Sequence, residues 1–465
     1  MTEKHMLIRM AVLAGLFGFL FGADTGILAG ALPFVRTHFA LSEVAEGAII
    51  AAVPFAAVIG VLFAMVSADR VGRKPVLVAS ACLFSVGALA SALAGSTGTL
   101  IFSRLLIGAA VGASVFTTPI YLAEIAPAKA RGAIVCIFQL MITIGILAAF
   151  IAGYGLAADG DWRMMFGLGL IPAVICLAGI VFSPETPRWL VLKNRVDEAH
   201  AVLQQTAPDT PQRAISQIIQ NISDEHANQK NADSWRHFLT RENLYLTAFC
   251  VTGMALAQLS GINVILTYAP KFFEYAGFQG TSSQLLATIG IGATNVLMTF
   301  VSIYLVDRLG RRPLLIAGFA GTAASLGVIS AAYAIAPASM GYLILAGLLA
   351  YIIFFAICLG PITFVYASEL FPLALRAKGM ALVSLGLWLS NFLLLFAFPP
   401  IEAFIGQTGT FALFTAVCVF GFLFAVKYAP EPKGIELEDI DARIAEQRPE
   451  LAGDCETRPS LNPAE

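Results

Sequence analysis

Apolar runs long enough to cross a bilayer alternate along this chain with short stretches that hold most of its Lys, Arg, Asp and Glu. A spanning helix takes roughly 20 mostly apolar residues. Twelve runs meet that length: near 8–32, 47–67, 75–95, 98–121, 133–156 and 162–182, then near 243–272, 285–306, 313–334, 341–367, 379–402 and 409–428. The longest polar stretch, Ser183 to Arg241, separates the two sets, and its charges and alternation predict short amphipathic helices. The expected fold class is an all-α membrane protein of twelve transmembrane helices in two six-helix halves. Residues 1–182 form the N-terminal half, 183–241 a cytoplasmic linker, 242–428 the C-terminal half and 429–465 an acidic cytoplasmic tail. The first run is too long for a signal-peptide core and shows no clear cleavage site, so it reads as a retained span.

Composition agrees with this pattern. Hydrophobic residues make up 58% of the chain and charged residues 12%, with a mean hydropathy of +0.81. That is too little charge to cover a soluble protein of 465 residues, so the bilayer itself is the expected surroundings. A net charge of −2 argues against a nucleic-acid partner. Charge placement sets the orientation. The loops after the second, fourth, sixth, eighth and tenth spans, with both chain ends, hold nearly every Lys and Arg; only Arg36, Arg163 and Lys271 lie opposite. By the positive-inside rule both termini face the cytoplasm. The cysteines show no CxxC spacing, the histidines lie in loops or flanks without ligand spacing, and no phosphate-binding Gly-x-x-x-x-Gly-Lys-Ser/Thr string occurs. Cofactor, metal, ATP and enzyme chemistry are therefore not expected.

A repeat runs through the polar loops. Asp69-Arg70-Val71-Gly72-Arg73-Lys74-Pro75 recurs 238 positions on as Asp307-Arg308-Leu309-Gly310-Arg311-Arg312-Pro313. Glu124 with Arg131 matches Glu369 with Arg376, and Pro184-Glu185 matches Pro430-Glu431. Landmarks in register imply two halves related in parallel, a transporter plan with its binding site between the halves near the membrane midplane. The glycine permits a tight turn between helices. The charged side chains are expected to latch one half to the other on the cytoplasmic side, in one state of a two-state protein. They are Asp69, Arg70, Arg73, Glu124, Arg131, Glu185, Asp307, Arg308, Arg311, Glu369 and Arg376.

Asp24 is the carboxylate set well inside a predicted span, and Arg104 the matching base. An ionised group at that depth costs on the order of 3 kcal/mol or more, so an acid there is a functional candidate by default. The first span runs outward and the fourth inward, which brings both side chains to similar depth in the outer half, where they are expected to pair. A proton on Asp24 would release Arg104. The amides of the apolar runs also need explaining, because an unpaired buried amide is costly. Gln139 lies in the fifth span; Gln258 and Asn263 straddle Gly261 in the seventh; Asn295 lies in the eighth; Trp388 and Asn391 share a face of the eleventh. Amides and aromatic faces suit a neutral, hydroxyl-rich solute.

Together these strings resemble the sugar porters of the major facilitator superfamily over nearly the whole chain. They include the two Asp-Arg-x-Gly-Arg loops, Arg104 with Pro119-Ile120-Tyr121-Leu122-Ala123-Glu124, Pro184-Glu185-Thr186-Pro187-Arg188-Trp189, and Gln258-Leu259-Ser260-Gly261-Ile262-Asn263. The runs Phe138 to Leu147 and Tyr268-Ala269-Pro270-Lys271 are most similar to bacterial galactose–proton symporters. The resemblance implies an alternating-access importer in the plasma (cell inner) membrane, moving a monosaccharide with protons. It implies Asp24 and Arg104 as the coupling pair and Gln139, Gln258, Asn263, Asn295, Trp388 and Asn391 as sugar ligands, with Tyr268 and Phe364 at the gate or pocket wall. A monomer is expected. The chain departs from the family at Ala257, where a second Gln is usual, at Phe364, where a Trp is usual, and at Thr267, where a Tyr is usual. Each departure removes one hydrogen-bonding group from the site. An uncoupled facilitator and an importer of a cyclic polyol such as inositol are the alternatives.

Overall fold

The computed structural model describes residues 3–125, 131–206, 211–232, 241–335, 340–371 and 376–431. Helices α1 (Glu3–Phe39), α2 (Glu43–Val71), α3 (Arg73–Ala92), α4 (Thr97–Ile125) and α5 (Arg131–Leu156) each make one span. The sixth is α6 (Trp162–Leu168) and α7 (Leu170–Val181), which meet at Gly169. Three short helices follow in the polar stretch: α8 (Pro187–Leu192), α9 (Val196–Thr206) and α10 (Gln212–Ala232). The seventh span is α11 (Arg241–Leu259) with α12 (Ile262–Tyr275). Next come α13 (Thr281–Leu309), α14 (Arg311–Ile335), and a tenth span made of α15 (Gly341–Phe354), a π-helical turn at Phe355–Leu359 and α16 (Gly360–Leu370). The last element, α17 (Arg376–Tyr428), has 53 residues and bends at Gly406 (φ 68°, ψ −178°), so it supplies both the eleventh and twelfth spans. The helices overrun the apolar runs: α1 begins at Glu3 and ends at Phe39, about a turn or more beyond each predicted limit.

Helices inside a bilayer gain little from leaving water, so their association rests on close packing. Small residues provide it in the first half. A Cβ on Gly22 would lie 1.9 Å from the Ile142 carbonyl oxygen, and one on Gly145 2.4 Å from that of Phe19, which sets α1 backbone to backbone against α5. Gly60, Gly108 and Gly112 do the same for α2 and α4, within 2.3 Å of the carbonyls of Ala109, Val53 and Ala57. The second half uses aromatic plugs instead: Phe354 fills the space over Gly321, and Phe319 that over Gly421. The halves meet where α2 packs on α17, α5 on α13 and α1 on α12. Large apolar side chains such as Phe63, Phe102, Phe182 and Leu297 stay exposed, as a lipid-facing surface requires.

Three helix breaks matter for the site. Gly261, with φ 99°, separates α11 from α12 and needs a residue without a Cβ. Pro361 has no N–H to offer the Ile357 carbonyl, and Ser302 on α13 donates to it instead at 2.7 Å. Pro400 likewise offers no N–H to the Phe396 carbonyl, and Gly47 of α2 packs against that oxygen across the two halves.

Candidate functional site

Asp24 on α1 and Arg104 on α4 face each other inside the first half, 5% and 1% exposed. Arg104 Nη1 donates to Asp24 Oδ1, and Nη2 donates to Oδ2 at 2.9 Å, a bidentate fork. Gly108 and Gly112, on the turns after Arg104, hold α4 close to α2. The Arg104 guanidinium carbon sits 5.9 Å from the centre of the Phe166 ring, and Nε has no acceptor. The pair is thus closed by one acid and one aromatic face. Protonating Asp24 would remove the counter-charge and leave Arg104 a buried cation with one neutral acceptor and the ring beside it.

The same turn of α1 reaches the other half. Phe21 meets Trp388 of α17 edge to face, with centroids 5.5 Å apart. Trp388 and Asn391 are both buried, and Asn391 Oδ1 has no hydrogen bond from the protein. Across the Gly261 break, Asn263 Nδ2 donates to Gln258 Oε1 at 2.8 Å. These two amides pair with each other and remain partly exposed, as do Gln139 on α5 and Phe364 on α16. Asn295 is buried on α13, the helix that packs against α5. Thr143, one turn from Gln139, donates to its own backbone at Leu140 and is occupied. Tyr351 braces the break from α15, its hydroxyl 2.8 Å from that of Ser260. Of the three departures from the family, Ala257 and Thr267 are buried and Phe364 is partly exposed.

On the face that carries the repeated loops, the repeat recurs in its main contacts, though Arg311 Nε also donates to Glu369 and Arg73 Nε has no acceptor. Arg73 Nη2 donates to Glu124 at 3.1 Å and Nη1 to the Ala68 carbonyl at 2.9 Å, while the backbone N–H groups of Arg73 and Lys74 donate to Glu185 at 3.2 and 3.1 Å. In the second half Arg311 Nη2 donates to Glu369 at 2.6 Å and Nη1 to Val306 at 3.2 Å, and the N–H groups of Arg311 and Arg312 donate to Glu431 at 3.1 and 3.0 Å. Asp69 adds a pair to Arg73 at 3.1 Å. Even the tyrosines match: Tyr121 donates to the Pro184 carbonyl and Tyr366 to that of Pro430. Burial pushes the Glu185 carboxyl above its ordinary range, against the pull of the N–H donors and Arg73.

The ion pairs of Arg73 with Asp69 and Glu124, and of Arg311 with Glu369, each lie within one half. Each half carries an Arg, a Glu after its fourth span and a Glu after its sixth, so each cluster completes itself in this conformation. Arg70 is exposed, and Arg308 lies 4.0 Å over the Tyr304 ring. The side chains of Arg131, Asp307 and Arg376 lie outside the described residues.

Sequence reasoning missed a charged cluster on the opposite face. Glu46 and Glu402 sit at the margins of apolar runs, yet they are 1% and 6% exposed. Arg36 Nη2 donates to Glu43 at 2.9 Å, and its Nε lies 3.4 Å from Glu46. Lys271 Nζ donates to Glu402 at 2.5 Å, and Gln407 donates to the other oxygen of Glu402. Tyr268, expected at the gate, is fully buried here with its ring 4.6 Å from Phe398 and its hydroxyl unpartnered. The usable signal was that Arg36 and Lys271 stand almost alone on that face and needed counter-charges nearby.

Comparison with known proteins follows the same lines. The profile of the family described as "Sugar (and other) transporter" matches residues 10–443. The chain is similar to the galactose-proton symporter of Escherichia coli strain K12, at 36% identity over 452 residues and 96% of each chain. It is also similar to the glucose transporter GlcP of Staphylococcus epidermidis, at 34% identity over 96% of this chain and 98% of that one. Among solved structures, the partially occluded inward open conformation of the xylose transporter XylE from E. coli superimposes with a TM-score of 0.81 and 27% identity. The match covers 93% of this chain and 100% of that one.

Proposed function

The chain belongs to the sugar (and other) transporter family, and from this premise we propose that it is a proton-coupled symporter importing a monosaccharide. One central site would open in turn to the two sides of the membrane. The observation that carries the reading is the buried Asp24–Arg104 fork, set on the same turn of α1 as the Phe21–Trp388 contact between the halves. A proton on Asp24 frees Arg104, and α1 transmits the change to the pocket wall. Sugar hydroxyls compete for the Gln258–Asn263 bond and supply the partner that Asn391 Oδ1 lacks. Gln139 and Asn295 complete the ligand set from α5 and α13, with Tyr268 and Phe364 at its margin.

A galactose-like hexose is the favoured substrate, supported by the relative named as a galactose-proton symporter; pentoses remain in range, since a relative is named as an arabinose-proton symporter. We place the loop-bearing face and both termini in the cytoplasm on the Lys and Arg bias, with residues 1–182 and 242–428 as the two halves, 183–241 as linker and 429–465 as tail. The protein would act as a monomer in the plasma (cell inner) membrane. One charge crossing 100 mV supplies about 2.3 kcal/mol, enough for roughly fifty-fold accumulation.

The reading is tested by recording pH in a lightly buffered, de-energised suspension of cells expressing the protein while single sugars are added. Alkalinisation on adding one sugar supports symport and names the substrate. Labelled sugar entering down its gradient without a pH change would make the protein a facilitator.

A further inference from the structure

The cluster on the face opposite the repeated loops joins the two halves. Arg36, Glu43 and Glu46 belong to α1 and α2; Tyr268, Lys271 and Glu402 belong to α12 and α17. Ion pairs close each set internally, Arg36 with Glu43 and Glu46, and Lys271 with Glu402. The two sets meet at the seam: Glu46 is buried against α17, and Lys271 is the cation the other half brings to this level beside Arg36. The Tyr268 hydroxyl and the Glu46 Oε2 are both buried and each lacks a formed hydrogen bond. The seam is tight at this level: a Cβ on Gly47, next to Glu46, would lie 2.8 Å from the Phe396 carbonyl oxygen of α17. Three carboxylates share two cations, so Lys271 is contested between Glu402 in its own half and Glu46 in the other.

We propose that Glu46 and Lys271 form the lock that holds this face of the transporter closed, and that Glu402 tunes it by competing for Lys271. The arrangement makes a directional forecast. Opening this face separates α2 from α12 and α17, which parts Glu46 from Lys271 but leaves Lys271 with Glu402. Removing the Glu46 charge therefore weakens only the closed state. Removing the Glu402 charge releases Lys271 to Glu46 and strengthens it. A general loss of packing would move both variants the same way.

The test uses the full chain in lipid nanodiscs, with its native cysteines replaced and spin labels at Val44→Cys and Phe404→Cys. Both positions are exposed, 61% and 89%, one on each half beside the cluster. Pulsed electron-spin distance measurement reads the open and closed populations without sugar, so it stands apart from the substrate and coupling readings. Glu46→Gln and Lys271→Gln should each raise the open-to-closed ratio roughly tenfold or more, and Glu402→Gln should lower it. The double variant Glu46→Gln with Lys271→Gln removes both charges at once and should open the face no further than either change alone, as members of one pair do, which covers the case of a single variant that fails to fold. Unchanged distances in Glu46→Gln and Lys271→Gln, or Glu402→Gln opening the face as they do, would overturn the lock.

Discussion

Asp24→Asn keeps the size of the side chain and removes its charge. In the structure the carboxylate takes two N–H bonds from Arg104, which is 1% exposed and has no acceptor for Nε. An Asn carbonyl accepts one of those bonds, while its amide N–H₂ turns donors toward a cation. Taking one partner from a buried pair costs about 3–5 kcal/mol. The retained bond and the Phe166 face return on the order of 2 kcal/mol of that. The remainder, about 2 kcal/mol, is a roughly thirty-fold shift away from conformations that need the pair. Asn is also a fixed mimic of the protonated acid, so the variant should bind and exchange sugar yet have no proton step to couple. In proteoliposomes with a potential of about 100 mV and equal pH on the two sides, wild type should accumulate sugar roughly fifty-fold. The variant should stop at equal concentrations while sugar-for-sugar counterflow continues. Undiminished uphill uptake would refute the coupling role, and loss of both activities with well-folded protein would place Asp24 in binding.

Gly112→Ala puts a Cβ 2.1 Å from the Ala57 carbonyl oxygen and must part α2 from α4, a cost of about 1–3 kcal/mol or more to be read as a lower unfolding temperature. Gly253→Ala meets nothing within 4 Å and should hold or raise that temperature, by up to about 1 kcal/mol of helix propensity. Gln258→Ala strips Asn263 of its acceptor and the pocket of a ligand, so the apparent KM for the transported sugar should rise about tenfold or more in an initial-rate uptake assay. Burial holds the Glu185 carboxyl above the ordinary value of 4.5, so the folded protein takes up this proton before the unfolded chain does. Its contribution to stability therefore rises as pH falls through that window. Glu185→Gln should flatten that part of the Tm profile, and an unchanged profile would refute the assignment.

Much of this was legible in the residues because local pattern fixes it. The twelve apolar runs become the twelve spans, and the repeated Asp-x-x-Gly-Arg loops become two superimposable clusters, since turn, Arg and Glu lie within a single half. The Asp24–Arg104 pair was legible too: two lone opposite charges at one depth leave each other as the cheapest partner. The amides were legible as polar positions in apolar helices. That Gln258 pairs with Asn263 was not, because it depends on how Gly261 at φ 99° turns one helix segment against the next.

The cluster at Glu46 and Glu402 shows where hydropathy stops being informative. An apolar run ends where charge begins, but a helix ends where its backbone loses partners. Ser42 caps α2 by accepting from the Ala45 N–H, so Glu43 and Glu46 fall inside the first helical turn. That turn is pressed against α17 through Gly47 and the Phe396 carbonyl freed by Pro400. A carboxylate one residue outside the apolar run is thereby buried at a seam between halves, with Arg36 as the cation beside it. The same backbone logic holds at Ile357, where Pro361 frees a carbonyl and Ser302 of the neighbouring helix takes it. At Pro361 and Pro400 a neighbouring helix thus covers the carbonyl that proline leaves free. Phe396 is the case to follow: its helix and its neighbour α2 belong to different halves, so the proposed opening of this face would strip α2 from that carbonyl.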